Sequence, residues 1–292
     1  MGSAVTIGSI RHNNDADFRA WSQEFHDILV GTMGLVQTAD TGQVDLSTAT
    51  RPSTGAYAGF RIYRTNDGLT DLFIRIQFGT NTSSSTFPRM TVQVGTGTDG
   101  AGNLNGMVTN EYFAGANRSI TAGKWLRIAT GVDGLWHISF HRSGYGLGAQ
   151  LGFTLARICN LSGAPSNDGF RLYATNGAEG GGGAMHTIRL LPTPNNFGST
   201  NSASFAMAPN GIDSTVLDGR PQVFMHQAAI PEVRPIRGLV SYRRTEIGEA
   251  TAFTLRVGGV DRTYMPLGQY MIQGAVMGVL ATGDWPYAVE WA

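Results

Sequence analysis

The sequence has little charge of either sign, and the two signs balance. Only 14% of its 292 residues are charged, and the formal net charge at pH 7 is zero. Soluble domains usually have about 25% charged residues. Proteins that bind nucleic acid usually carry a basic excess that neutralises phosphates, so the composition argues against such a partner. A surface so poor in charge indicates that neighbouring subunits partly cover it, although Ser, Thr, Asn and the 40 glycines can also make a wet surface.

Lysine is almost missing. Lys124 is the single lysine among 21 basic residues, and the others are arginines. The planar guanidinium suits bidentate hydrogen bonds at interfaces, which would fit a protein that assembles with partners. A GC-rich genome that favours arginine codons explains the bias equally well.

Cysteine and long apolar runs are also scarce. Cys159 is the one cysteine, so a disulfide within the chain is excluded, and its apolar setting (Leu155–Leu161) predicts a buried, unreactive thiol. No run approaches the roughly 18 apolar residues of a membrane-spanning helix. We expect no secretory signal, because no basic start precedes an apolar run. Met1–Thr6 matches the loose N-myristoylation pattern, which also arises often by chance.

Three alternating segments between Gly59 and Gly95 organise the rest of the chain. Side chains of a strand point to opposite faces in turn, so alternation predicts antiparallel strands with one buried and one wet face. The Asn66-Asp67-Gly68 sequence is typical of a turn that closes the first hairpin. The residues predicted to be buried are Phe60, Ile62, Leu72, Ile74, Ile76, Phe78, Met90, Val92 and Val94. Those predicted to face water are Arg61, Tyr63, Phe73, Arg75, Gln77, Arg89, Thr91 and Gln93.

A single helix is predicted over residues 15–33. Its apolar residues recur at helical spacing and form one stripe: Phe18, Trp21, Phe25, Ile28 and Leu29. Asn13, Asn14 and Asp15 are candidate caps, and Gly31 and Gly34 are candidate stops. We expect the stripe to cover one end of the sheet, with docking on a partner subunit as the alternative.

Short apolar segments separated by Gly-, Asn- and Ser-rich loops continue to the C-terminus, as in a sandwich or jelly roll. The predicted fold class is all-β: an antiparallel sandwich or jelly-roll-like domain (1–192, with helix 15–33), a linker (193–201) and a smaller C-terminal β domain (202–292). The further predicted strands are 124–130, 134–141, 150–160, 169–175, 184–191, 221–228, 236–242, 253–257, 260–264 and 273–280, with a Gly258-Gly259 hairpin turn.

One segment is echoed later in the chain. Gly59–Asn66 and Gly169–Asn176 are identical at six of eight positions, and both read as a strand that enters a turn. A duplicated strand would explain the echo, but eight residues are too few to define a repeat fold.

Glycine-rich motifs do not predict a cofactor site. Gly95–Gly100 has the glycine spacing of a dinucleotide-binding loop, but more loop follows where that motif needs a helix N-terminus. Gly123-Lys124 precedes Trp125 instead of Ser or Thr, so it is no phosphate loop. Asp99 and Asn103 offer oxygens for calcium, but turn formation accounts for them better, because the complete calcium-loop pattern is missing.

No catalytic, cofactor-binding or metal-binding residue is predicted. His137 and His141 share a face of one predicted strand, but four residues of strand span about 13 Å, too far for one zinc ion. We therefore expect solvated strand histidines. The sequence contains no nucleophile elbow and no helical zinc pair. A polysaccharide hydrolase needs two facing carboxylates, which the sequence neither signals nor excludes.

Several segments resemble structural proteins of tailed-bacteriophage virions: Trp21–Gln43, which includes Gly34–Gly42, then Phe73–Gly79, Val94–Gly102 and Arg262–Gly268. The resemblance covers about half of the chain and carries no catalytic residues. It implies a component of the tail, baseplate, neck or capsid surface that is assembled into virions in the bacterial cytoplasm.

The function expected first is therefore a non-enzymatic virion component, of the tail or baseplate, that assembles with copies of itself and with other virion proteins. The alternatives are a capsid decoration protein and a module that binds a host receptor or surface glycan. For glycan binding, Trp125, Trp136, Tyr145 and Tyr173 are candidates to stack on a sugar, although core packing accounts for at least half of them. A depolymerising hydrolase is a third hypothesis.

Overall fold

The computed structural model is built mostly from β strands and has one helical segment within its described residues. It describes residues 2–7, 10–109, 111–114, 125–132, 134–142, 150–160, 164–174, 184–190, 195–196, 204–206, 223–226, 234–236, 239–241, 252–257, 260–268 and 287–291.

The helical segment is α1 (Asp15–Asp27), which continues directly into a π-helical turn (Ile28–Thr32). The strands are β1 (Gly2–Ile7), β2 (Val36–Gln37), β3 (Tyr57–Arg64), β4 (Phe73–Thr80), β5 (Pro88–Gly95), β6 (Gly97–Thr98), β7 (Leu104–Asn105), β8 (Tyr112–Phe113), β9 (Trp125–Val132), β10 (Leu135–Arg142), β11 (Gln150–Cys159), β12 (Pro165–Ala174), β13 (Ala184–Arg189), β14 (Asn195–Asn196), β15 (Ser204–Ala206), β16 (Val223–His226), β17 (Arg234–Ile236), β18 (Leu239–Ser241), β19 (Phe253–Val257), β20 (Val260–Gly268) and β21 (Tyr287–Trp291).

The described strands form four sheets and one two-stranded ladder, β6-β7. The first sheet has the order β2-β3-β4-β5-β8, and the second has the order β1-β9-β10-β11-β12-β13-β14. Later in the chain follow β15-β16-β17 and β18-β21-β20-β19. The pairings are antiparallel, so the predicted antiparallel β architecture with one N-terminal helix is confirmed.

Most predicted strands are present with slightly shifted ends. The strands that were not predicted are β1, β15, β17, β21 and the two-residue strands β2, β6, β7, β8 and β14. The predicted strand 273–280 and the Gly258-Gly259 turn lie outside the described residues. The hairpin that this turn would close is confirmed, because Val257 pairs with Val260.

Helix α1 begins where the sequence predicts but ends at Asp27, and the π turn carries the helical segment on to Thr32, one residue short of the predicted end. The Asn14 side chain accepts a hydrogen bond from Asp17 N at 2.9 Å and so caps a free backbone donor. Gly31 does not end the helical segment. Gly34 does, because its φ of +70° is easy for glycine, and Leu35 N then donates to Leu29 O at 3.0 Å. The π turn over Ile28–Thr32 was not predicted.

The apolar stripe of the helix packs on both large sheets instead of covering one end of a single sheet. The Phe25 ring lies 6.3 Å from the Phe78 ring of β4 and 5.3 Å from the Phe140 ring of β10. Phe18, Trp21, Phe25 and Leu29 are at most 2% exposed, in one cluster with residues of both sheets. The helix thus lies at the centre of the core, and its apolar stripe packs against the sheets of this same chain. Among the described helices, none is long and apolar enough to cross a membrane.

The predicted burial is confirmed for β4 and β5. The six inward residues Ile74, Ile76, Phe78, Met90, Val92 and Val94 are fully buried, as is Leu72 just before β4. Most of their polar neighbours are partly exposed, but Thr91 is 1% exposed.

The predicted faces of β3 are wrong. Arg61 pairs with Ile76 and Tyr63 pairs with Ile74, so these two polar residues share the core face of the sheet. Tyr63 is fully buried and Arg61 is 8% exposed. Phe60 and Ile62 lie on the other face, where Ile62 is also fully buried.

Both polar side chains on the core face of β3 have hydrogen-bond partners. Arg61 Nε donates to Val44 O at 3.0 Å, and the Tyr63 hydroxyl lies 2.9 Å from His26 Nδ1. Buried polar groups are tolerated when they are satisfied in this way. The connection to β4 spans residues 65–72, longer than a tight turn, and Gly68 has the expected positive φ of +77°.

Candidate functional site

A cleft of about 560 Å³ opens where the connection between β3 and β4 meets one end of the second sheet. The first side is formed by Asn66, Asp67 and Leu69 of the connection. The opposite side comes from the facing ends of β9 and β10, the start of β12 and the residues after the π turn. Those residues are Gly131, Val132, Gly134, Trp136, Pro165, Met33 and Gly34.

An ion pair beside this cleft joins the two sheets. Arg157 of β11 donates through Nε to Asp67 Oδ2 and through Nη2 to Asp67 Oδ1, both at 2.9 Å. Nη2 also donates to Thr70 O at 2.7 Å. The Arg157 side chain is fully buried, and that of Asp67 is 14% exposed. Because both carboxylate oxygens are engaged, the pair fixes the position of the connection against β11.

Two glycines let the walls of the cleft approach closely. A Cβ atom on Gly131 would lie 2.3 Å from Met33 O, which excludes any side chain there. Gly134 has a φ of +79°, and a Cβ atom on it would lie 2.8 Å from the Cβ of Pro165. Glycine is therefore required at Gly131 by contact with the backbone of Met33, and at Gly134 by its positive φ together with the nearby side chain of Pro165.

Trp136, a predicted stacking residue, belongs to both the core and the cleft. It is 4% exposed, lies in the buried cluster and lines the cleft. The guanidinium carbon of Arg157 lies 5.8 Å from its ring centroid. An open stacking platform is therefore not available on Trp136. Tyr145 and the side chains of Trp125 and Tyr173 lie outside the described residues.

His137 is fully buried, so the prediction of a solvated histidine is wrong for this residue. Its Nδ1 lies 2.8 Å from Thr154 Oγ1 and its Nε2 lies 3.2 Å from Ser139 Oγ. The physical reason is that both faces of β10 are covered, since residues 135–140 are all buried. The side chain of His141 lies outside the described residues.

Asp99 serves the turn between β6 and β7. Its Oδ1 accepts hydrogen bonds from Ala101 N at 2.8 Å and Asn103 N at 3.0 Å, and its Oδ2 accepts one from the Asn103 amide at 2.7 Å. The Asn103 side chain, followed by these backbone donors, lowers the pKa of Asp99. The turn interpretation is confirmed, because the Gly95–Gly100 motif leads into a short hairpin. Within the described part of the chain, no group of three or more His, Cys, Asp or Glu residues could hold a metal ion.

A buried histidine links the helix to β4. Trp21 Nε1 donates to His12 Nδ1 at 3.0 Å, so the His12 proton lies on Nε2, which is 2.9 Å from Thr80 Oγ1. Thr80 Oγ1 in turn donates to Pro52 O at 2.7 Å. Burial, and then the charge of Arg51, lowers the pKa of His12 to about 4. His12 is thus neutral at neutral pH, and both of its ring nitrogens have hydrogen-bond partners inside the core.

Burial also shifts the pKa values of a tyrosine of β3 and an arginine of β12. Burial raises the pKa of Tyr63 above its usual value and lowers that of Arg171 to about 10. Arg171 Nε and Nη1 have no hydrogen-bond partner in the described structure. Cys159 is 1% exposed, which confirms its predicted burial.

The cleft and its ion pair were missed by sequence reasoning. Asp67 was assigned only a turn role, and Arg157 lies 90 positions further along the chain. No local pattern connects two residues at that separation.

Comparison of the chain with protein families, with curated proteins and with solved structures finds no match.

Proposed function

We propose that this protein is a non-enzymatic structural component of a tailed-bacteriophage virion, of the tail or baseplate, which works by symmetric assembly with copies of itself and with other virion proteins. The proposal starts from the four segments that resemble virion proteins and from the low, balanced charge of the chain. Nearly all basic residues are arginines, and protein interfaces are enriched in arginine and depleted in lysine.

The observation that carries the proposal is the contact between segments that carry the resemblance. Gly34–Gly42 and Val94–Gly102 are far apart in sequence, but Thr41 N donates to Gly100 O at 2.9 Å. Arg75, within the segment Phe73–Gly79, donates through Nε to Gly102 O at 3.1 Å. These three segments meet at one sheet. Their resemblance to virion proteins is therefore better explained by a common structural unit than by three unrelated short matches.

The finer fold is part of the same proposal: a sandwich-like unit of the first and second sheets, and a smaller C-terminal β domain. The buried cluster that includes the helix and residues of both sheets supports the sandwich. The separate sheet β18-β21-β20-β19 supports a C-terminal unit. A rigid unit of this kind is suited to symmetric packing, since closed homo-oligomers are the rule among soluble assemblies.

The test has two parts on the full chain. Light scattering coupled to size exclusion should give the mass of a defined symmetric oligomer, and immunogold electron microscopy should locate the chain on washed phage particles. Incubation with host capsule or cell wall should release no reducing ends. A chain that stays monomeric at high concentration and is missing from washed particles would refute the proposal, as would turnover of a polysaccharide.

The second candidate function is a receptor- or glycan-binding module. The third candidate is a decoration protein of the capsid. The observation that favours binding is the cleft beside Trp136 and Asp67.

A further inference from the structure

The cleft between the connection 65–72 and the second sheet has the dimensions of a small-molecule site. Its volume is about 560 Å³, and ligand sites usually enclose about 300 to 1,000 Å³. It is bounded by an ordered framework: the paired strands β9 and β10 on one side, and a connection held by Arg157 on the other. Such a cleft exists before any ligand arrives.

The charge of the described lining residues is balanced. Asp67 is the one ionisable residue among them, and Arg157 neutralises it with two hydrogen bonds of 2.9 Å. Among these residues a cation would find no uncompensated carboxylate, and an anion would meet the carboxylate edge of Asp67. The electrostatics therefore favour a neutral ligand.

The lining retains hydrogen-bonding capacity. A carboxylate accepts about four hydrogen bonds, whereas Asp67 receives two from Arg157 and a long one of 3.4 Å from Leu69 N. Asn66 is exposed, and its amide supplies both a donor and an acceptor. Leu69, Val132 and the accessible part of Trp136 add an apolar surface.

We propose that the cleft binds a neutral, hydroxyl-rich ligand, namely a saccharide of one or two rings. Its hydroxyl groups donate to Asp67 and exchange hydrogen bonds with Asn66, and its C–H face packs on Leu69 and Val132. Arg157 is a positioning residue that presents the carboxylate and balances its negative charge. The inference deepens the second candidate function, on which it rests, and does not depend on assembly.

The experiment is a titration of the full chain with neutral sugars, using glucose, galactose, N-acetylglucosamine, rhamnose, maltose and lactose as probes. Binding is followed by saturation-transfer NMR and isothermal calorimetry. Asn66→Ala removes the exposed amide, and Leu69→Trp fills the cleft without removing a polar group. Asn13→Ala is the matched control, because Asn13 is also an exposed asparagine. It lies just before the N-terminus of helix α1, whereas the cleft is lined by residues that follow the C-terminal π turn.

At least one neutral sugar should bind, with the affinity reduced about tenfold by Asn66→Ala and lost in Leu69→Trp. Asn13→Ala should bind as the unaltered chain does, and all variants should show the same circular dichroism spectrum. The proposal is overturned if no neutral sugar binds at millimolar concentration, or if Leu69→Trp folds and still binds. Tighter binding of glucuronic acid than of any neutral sugar would also overturn it. None of these results bears on the oligomer mass, so failure here is distinct from failure of the assembly proposal.

Discussion

Strands β3 and β12 contain nearly the same peptide and turn opposite faces to the core. In β3, Arg61 and Tyr63 lie on the core face, and Phe60 lies on the other. In β12, the residues in the core are Phe170 and Leu172, the counterparts of Phe60 and Ile62. A peptide in which both faces carry large side chains has no preferred face of its own. The choice is made by what the rest of the chain offers each face.

The two environments differ in their polar partners. On β3, the inward polar groups meet His26 on the helix and Val44 O on the segment that follows β2. On β12, the residues on the core face are Phe170 and Leu172, which pair with Arg157 and Leu155 of β11 and carry no polar group that needs a partner. The first sheet thus joins the helix through polar and apolar contacts, whereas the described contacts of the second sheet with the helix are apolar.

The largest effect should come from truncating the echoed phenylalanine. Phe170→Ala should lower the free energy of unfolding by about 3–5 kcal/mol, because it leaves a cavity at a fully buried site. Phe60→Ala is the matched control and should cost only about 1 kcal/mol. Its ring is partly exposed, and its main specific contact is the Arg75 guanidinium, 4.6 Å from the ring centroid.

Urea denaturation of both variants measures this difference. Equal losses would mean that the two strands do not differ in orientation as described.

This comparison also marks how far the sequence predicts the structure. The inward residues of β4 and β5 and the stripe of α1 were predicted because only one face of each carries consistently apolar residues. The faces of β3 and the burial of His137 were not, because a covered second face depends on contacts from distant segments. The cleft could not be predicted from the sequence for the same reason, since Asp67 and Arg157 approach each other only after the two sheets have packed. The absence of a catalytic or cofactor residue stays a prediction.

The next largest effect is the pH dependence of stability that is expected from His12, which links helix α1 to β4. The pKa of His12 is about 4 in the folded chain against 6.5 for an ordinary histidine. Between these values the unfolded chain binds more protons, so stability is full above about pH 6.5 and falls as the pH drops to about 4. The loss should reach about 3 kcal/mol. Protonation of Nδ1 would also place it against the Trp21 N–H.

Urea unfolding at several pH values measures this loss, and His12→Gln should flatten the profile over that interval. Amide exchange in β4 should quicken with acid before that in β10. An unchanged profile in His12→Gln would assign the acid sensitivity to other groups.

A smaller effect, with opposite signs, is expected at the two echoed arginines. Arg61→Met should cost about 1–2 kcal/mol, because it removes the hydrogen bond to Val44 O. Arg171→Met should leave stability unchanged or raise it by about 1 kcal/mol. Arg171 is buried with two nitrogens that have no partner in the described residues, and a buried charge without a partner is costly.

Thermal and urea unfolding of the two methionine variants provide the measurement. A clear loss in Arg171→Met would indicate that this guanidinium has an acidic partner in the folded chain.

The smallest effect isolates the hydrogen bond that lets β3 turn a tyrosine inward. Tyr63→Phe should cost about 1 kcal/mol, since the ring keeps its packing and the 2.9 Å contact of its hydroxyl with His26 Nδ1 is lost. A double-mutant cycle with His26→Ala should give a coupling energy of about 0.5–1 kcal/mol. A coupling near zero would mean that packing of the ring alone, without His26, sets the orientation of β3. The difference between β3 and β12 would then have to arise from the segment that lies along Arg61.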